Sequence, residues 1–275
     1  MPDSKPSHAP VEVWQAIFDE LDVEQDKRTL AACSLSCKTL LAPSYRRLYH
    51  NITLSSSASA QNFVRTIRSQ ADNQPATHVR GLSILCRDIP PSDLNSIIPA
   101  LAHSLPALSI LRLDSLQWSE LDQPAKSALM TGFQTVQQVE TSEVVFESED
   151  QALEFITSFP SLTHLNRQSR DLGFSEQNPP PRPMALPTNL KTLDISTDYV
   201  EIFDSLLRLE PHPELHTLRV NFIDMRDEYV LQVGRLLEYL GSSLESLTFY
   251  GWIDMGWDRT SSPEVNQSPS LSSLS

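Results

Sequence analysis

The chain has 275 residues, of which 40% are hydrophobic, and it carries a formal net charge of -14. That is enough apolar material for a substantial core, and too acidic a balance for gripping nucleic acid through a phosphate-neutralising surface. No run approaches the roughly 18 apolar residues of a membrane span, residues 1–10 lack the apolar centre of a secretion signal, and only three cysteines occur; together these point to a reducing, cytoplasmic or nuclear setting without membrane contact.

In chain order, residues 1–9 form a polar lead that is expected to be disordered. A helical domain over 10–54 follows. Val13, Trp14, Ile17, Phe18 and Leu21 recur at helical spacing behind Pro10, a residue suited to a helix start. Residues 22–28 make a charged connector. A second helix, capped by Asp26 or Thr29, carries Leu30, Cys33, Cys37 and Leu40 or Leu41, and Pro43 should end it. A third carries Tyr45, Leu48 and Tyr49 and runs into Ile52 and Leu54. Three such short helices are too small to hide both their sides from water, so the wide apolar stripe of the first predicts a partner surface. Residues 55–60 read as a linker, and 61–69 as a short helix with Phe63, Val64 and Ile67 inward.

From there to residue 257 the chain repeats one phrase. It runs Pro106-Ala-Leu108-Ser-Ile-Leu111-Arg-Leu113, Pro160-Ser-Leu162-Thr-His-Leu165 and Pro213-Glu-Leu215-His-Thr-Leu218-Arg-Val220. Copies without the proline begin at Leu190 and Leu244, and weaker ones at Val79 and Val136. The steps between first apolar residues are 29, 28, 26, 28, 25 and 29. A period so regular, within the roughly 20–50 residues of a repeat architecture, predicts stacked strand and helix units that share one core. The alternating leucines place two side chains of each phrase on one side of a strand. Helix-like runs fill the gaps at 94–105, 125–133, 151–159, 200–209 and 229–240. A proline-rich stretch over 170–187 replaces one helix with extended chain. Residues 258–275 turn polar and are expected to be disordered. They end on Pro269-Ser-Leu271-Ser-Ser-Leu274, which reads as an incomplete eighth repeat.

This phrase and its period resemble the leucine-rich repeat family, in the longer version that carries a full helix. The first part resembles a second family. Pro10-Val-Glu-Val13, Ile17-Phe18, Leu21, Leu30-Ala-Ala-Cys33-Ser-Leu35-Ser-Cys37-Lys38 and Tyr45-Arg-Arg-Leu48-Tyr49 follow the order and spacing of an F-box. It departs from that family's usual residues at Ala9, Ser36 and Leu40, changes that bear on affinity more than on fold. The two resemblances imply an α/β chain, an N-terminal three-helix F-box followed by a leucine-rich-repeat-like α/β solenoid with a parallel sheet. They imply a Skp-type adaptor as partner, and through it a cullin ligase, with Pro10, Val13, Ile17, Phe18, Leu21, Leu30, Cys33 and Leu35 as the adaptor-facing set.

Strand alternation separately predicts a polar face for a protein substrate. It holds Ser83, Arg112, Asp114, Gln138, Glu140, Asn166, Gln168, Asp194, Ser196, Arg219, Asn221, Thr248 and Tyr250, with Trp252 at its end. Catalytic signatures are missing: there is no nucleophile elbow, phosphate loop or dinucleotide fingerprint, and only seven glycines to build one. Cys33 and Cys37 lie one helical turn apart, with no further ligands near in sequence, and read as a core stripe. His212 and His216 flank Pro213 at a strand entrance and do not read as a metal pair. No cofactor and no metal is expected. The reading is therefore a substrate-recognition subunit of an SCF-type ubiquitin ligase, not an enzyme in itself. The alternatives are a repeat scaffold without ligase function, and an α/β hydrolase or transferase whose nucleophile and base the sequence does not show.

Overall fold

The strands fall where the phrase recurs. In a computed structural model that describes residues 10–21, 25–69, 74–168, 187–197, 214–222 and 227–251, β1 (Asn51–Leu54), β2 (Gly81–Leu85), β3 (Ile110–Asp114), β4 (Gln138–Ser142), β5 (His164–Gln168), β6 (Thr192–Thr197), β7 (Thr217–Phe222) and β8 (Ser246–Gly251) pair side by side in chain order as one parallel sheet. Parallel neighbours cannot be joined by tight hairpins, so each step needs a crossover long enough to return over the core. The period supplies that length.

Register follows the phrase. Gly81, Ile110, Gln138, His164, Thr192, Thr217 and Ser246 stand opposite one another in successive pairs. Each lies two residues after the first apolar residue of its copy. The backbone repeats too. The carbonyl of His50 accepts both Arg80 N–H and Gly81 N–H, that of Arg80 accepts from Ser109 and Ile110, and the same two-to-one bond recurs at every later step up to His216 with Glu245 and Ser246. Side chains reinforce the step: Thr135 Oγ1 donates to the Leu108 carbonyl at 2.7 Å and Thr163 Oγ1 to the Gln137 carbonyl at 3.0 Å.

The helices are α1 (Val11–Asp19), α2 (Lys27–Ser36), α3 (Lys38–Leu48), α4 (Ser57–Ser69), α5 (Gln74–His78), α6 (Pro91–Ala102), α7 (Gln123–Thr131), α8 (Glu149–Thr157) and α9 (Asp227–Leu240). Three of them precede β1, and those from α4 onward return the chain along the other side of the core. The last two turns of the sequence logic are visible at helix starts: Asp122 caps α7 by accepting from Ala125 N–H at 2.9 Å, and Ser148 caps α8 through Gln151 N–H. Leu82, Leu111, Val139, Leu165, Leu193 and Leu218 form one buried row from the sheet, and Ile97, Leu101, Leu129, Phe155 and Leu236 close over them from the helices. Trp118, Phe146, Phe155 and Phe159 pack edge-on and tilted at centroid distances of 5.0–5.8 Å in the middle of this core.

Four local expectations are corrected. The segment 55–60 is not a linker: α4 begins at Ser57, Ser56 and Ser59 cap each other through side-chain and backbone bonds at 3.1 and 3.2 Å, and Ala60 is buried. A serine-rich run caps a helix as readily as it loosens a chain. Residues 51–54 belong to the sheet and not to the helical unit alone, because Asn51–Leu54 pairs with β2. Pro43 does not end the second helix. The break comes at Cys37, whose backbone is extended, and α3 carries Pro43 inside it, buried. Cys37 is accordingly exposed, so Cys33 and Cys37 do not form a core stripe. The lead 1–9, the helix-like run 200–209, most of the proline-rich stretch, Trp252 and the tail 258–275 lie outside the described residues.

Candidate functional site

Two surfaces stand out, one on the helices before β1 and one on the sheet. α1, α2 and α3 pack together, and Arg47 of α3 fastens the end of α1 by donating to the Leu21 carbonyl from Nε at 3.3 Å and Nη2 at 2.9 Å. Within this unit Phe18 and Leu30 are 3% and 0% exposed. They are its core, and the expectation that they face a partner is corrected on that ground. Trp14 rests half-buried, 6.4 Å from Phe18 between ring centres. Val13 and Ile17, one turn apart on α1, are instead 45% and 46% exposed, and Leu35 on α2 is 87% exposed. Pro10 is exposed as well, while Leu21 and Cys33 are half-buried. Isolated exposed leucines are ordinary, but three large aliphatic side chains on a unit this small are a surface that water leaves unpaired.

On the sheet, the first, third and fifth residues of each strand point away from the helices. All thirteen residues of the predicted polar face from Ser83 to Tyr250 occupy these positions. Arg112, Glu140, Asn166, Asp194 and Arg219 form one row across β3 to β7, since each stands opposite the next. Gln138 lies at the start of its strand, and Asp114, Gln168, Asn221 and Tyr250 lie at the fifth position. Two ion pairs flank the row. Arg112 Nε meets Glu140 Oε2 at 2.6 Å, while Gln138 Nε2 donates to the other Glu140 oxygen at 2.6 Å. Arg219 reaches Asp194 only at 3.9 Å. Burial therefore dominates at Asp194 and raises its carboxyl above the ordinary range, with Arg219 pulling weakly the other way. Between the pairs Asn166 Oδ1 is buried without a hydrogen-bond partner among the described residues. A depression of about 320 Å³ lies over the β2 to β5 part of this face, lined by Ser83, Arg112, Asp114, Glu140, Asn166 and Gln168 among others.

Where the sheet turns into its loops, Ser115 and Glu143 both take positive φ, 54° and 53°, at equivalent points of successive repeats, and Ser115 Oγ bonds Glu143 Oε2 at 3.1 Å. Both are non-glycine residues in a backbone region that a Cβ disfavours, one residue beyond the strand ends that line the depression.

Two features went unread in the sequence. Arg167 occupies an inward slot that is leucine, isoleucine or valine in most repeats; it is 4% exposed, and its guanidinium carbon lies 5.9 Å from the Phe146 ring centre. The signal was available, because its copy of the phrase has arginine where an apolar residue usually closes it. Leu85 extends the depression onto β2, beside the predicted Ser83. As for chemistry, no cluster of three or more metal-binding side chains occurs among the described residues, and none of their helices is long and apolar enough to cross a membrane. Cys86 is buried; that burial first, and the charge of Asp114 second, push its thiol up to about 12, so it carries no thiolate at neutral pH.

No protein-family model matches the chain, and no curated protein matches it significantly.

Proposed function

We propose that the chain is a substrate-recognition subunit of an SCF-type ubiquitin ligase, its F-box-like helices binding a Skp-type adaptor and its repeat sheet binding a protein substrate. The observation that carries this reading is the exposure of Val13, Ile17 and Leu35 on a three-helix unit that runs directly into the first strand of the sheet. A partner surface and a polar binding face thus sit on one body, and the mechanism is proximity: substrate held on the sheet is presented to the ligase at raised effective concentration. The adaptor-facing set is Pro10, Val13, Ile17 and Leu35, with Leu21 and Cys33 at its margin. Asn166 is the centre of the substrate face, since its buried Oδ1 has no hydrogen-bond partner among the described residues, with Asp194 opposite it on the next strand.

A repeat scaffold without ligase function is the second reading. It is favoured by the burial of Phe18 and Leu30, which narrows the apolar set available to an adaptor. Titration of the purified chain with a Skp-type adaptor decides between the two. Saturable binding at micromolar concentration, lost in Ile17→Asp, supports the ligase subunit; no binding by the wild-type chain leaves the scaffold.

A further inference from the structure

The charge of this chain is unevenly divided. Residues 27–80 hold eight lysines and arginines against one acid, Asp72, a net +7, which leaves -21 on the rest. This basic block is α2 to α5, and six of its eight cations are exposed. The other two are structural: Arg47 holds the end of α1, and Arg80 holds the carbonyls of Thr77 and Ala107. None of the six exposed cations forms an ion pair among the described residues. The positive field is felt locally. His78 is held below its usual pKa by burial first, then by Arg80 and Arg46.

The same block is grooved. Between α4 and α6 a cleft of about 470 Å³ has Val64 and Ile97 on its floor and Arg65, Arg68, Gln61 and Ser96 on its rim. Arg65 and Arg68 stand three residues apart, on one face of α4. A second cleft, of about 460 Å³, where α1 and α3 meet α5, is lined by Lys38, Arg46 and His78 over Ala42 and Pro43. We propose that the α4–α6 groove docks an acidic segment of a partner protein, one that carries an apolar side chain for the floor and carboxylates or phosphates for Arg65 and Arg68. Two guanidinium groups on successive turns suit such anions. An extended polyanion suits the surface less well. No aromatic ring lines the α4–α6 groove for base stacking, and the -21 on the remainder repels a long phosphate backbone.

The test is fluorescence anisotropy on the full chain with a labelled dodecapeptide of glutamate and aspartate that contains one leucine and one phenylalanine. Its lysine counterpart, a single-stranded DNA dodecamer and vesicles of anionic lipid serve as competing probes. The acidic peptide should bind at low salt and weaken by at least about tenfold between about 50 and 300 mM salt. Arg65→Glu with Arg68→Glu should lose at least about tenfold, and the milder Arg65→Gln with Arg68→Gln a smaller amount, both with an unchanged thermal melt because both side chains are exposed. Lys191→Glu with Arg235→Glu changes the net charge equally at exposed sites far along the sequence and should leave binding within about twofold. The proposal fails if the acidic peptide does not bind, if this charge-matched pair loses as much as the groove pair, or if DNA or vesicles bind more tightly than the peptide. None of these outcomes depends on the adaptor.

Discussion

Leu193, Leu218 and Leu247 hold the same place in three successive repeats, each opposite the next in the sheet. Their surroundings differ: Leu193 and Leu218 are 1% and 0% exposed, but Leu247, on the last described strand, is 38% exposed. Truncating Leu218 to alanine removes methyl groups from a closed layer and leaves a cavity that neighbouring strands and helices cannot collapse. That should cost about 2–5 kcal/mol. At Leu247 part of the side chain already faces water and no enclosed cavity forms, so only a fraction of a full transfer value of ~1.5–3 kcal/mol is at stake, about 1 kcal/mol. Arg219→Ala, next to Leu218 but on the opposite face with a loose partner at 3.9 Å, should cost under about 0.5 kcal/mol. For a domain of this size 1 kcal/mol corresponds to roughly 2–4 °C, so Leu218→Ala should lower the melting temperature by about 4–20 °C and Arg219→Ala by under about 2 °C. Circular dichroism melts read this directly, and urea titration checks whether the slope stays constant, since repeat arrays can lose two-state behaviour. Equal shifts for Leu218→Ala and Arg219→Ala would refute the assignment of inward and outward faces. Equal shifts for Leu218→Ala and Leu247→Ala would refute the inference that burial in a closed layer sets the cost.

The helical unit offers a second contrast: Ile17→Asp should leave the melt nearly unchanged because the side chain is half in water, while Phe18→Asp should unfold the unit by burying a charge, as seen in loss of far-ultraviolet ellipticity. Asp194 gives a pH test. Its folded pKa is raised, so its favourable contribution is complete below the ordinary aspartate value and is lost as pH rises through the folded value. Asp194→Asn should therefore raise the urea midpoint at pH 7, and the gain should disappear toward pH 3; a lower midpoint at pH 7 would mean that pairing with Arg219 outweighs burial. Thiol labelling should proceed in the order Cys37, Cys33, Cys86, because exposure falls in that order, and Cys86 should react only as the chain unfolds, since its burial both hides the thiol and raises its pKa. Labelling of native Cys86 at the rate of Cys37 would contradict its burial.

The repeat was legible because hydrophobic alternation is a local property. The leucine at each inward position is written in its own phrase, and the 25–29 residue steps read from the sequence are the same steps that the sheet register shows. The polar face followed from the same alternation, since every residue between two inward leucines must point the other way. What tertiary contact decided was of another kind. β1 is a copy of the phrase with Tyr49 in the first leucine's place, and only its pairing with β2 shows that the helical unit runs into the sheet. On α1 the apolar residues Val13, Ile17 and Phe18 are equivalent in sequence, and only packing against the rest of the helical unit turned Phe18 inward and left Val13 and Ile17 in water. The basic residues of α2 to α5 are scattered over 54 positions of the chain, and only folding brings Arg65 and Arg68 to one cleft and Lys38 and Arg46 to another. Period and polarity are set residue by residue along the chain, whereas the choice of which side of a short, broadly apolar helix is buried depends on neighbours that the chain brings together only by folding.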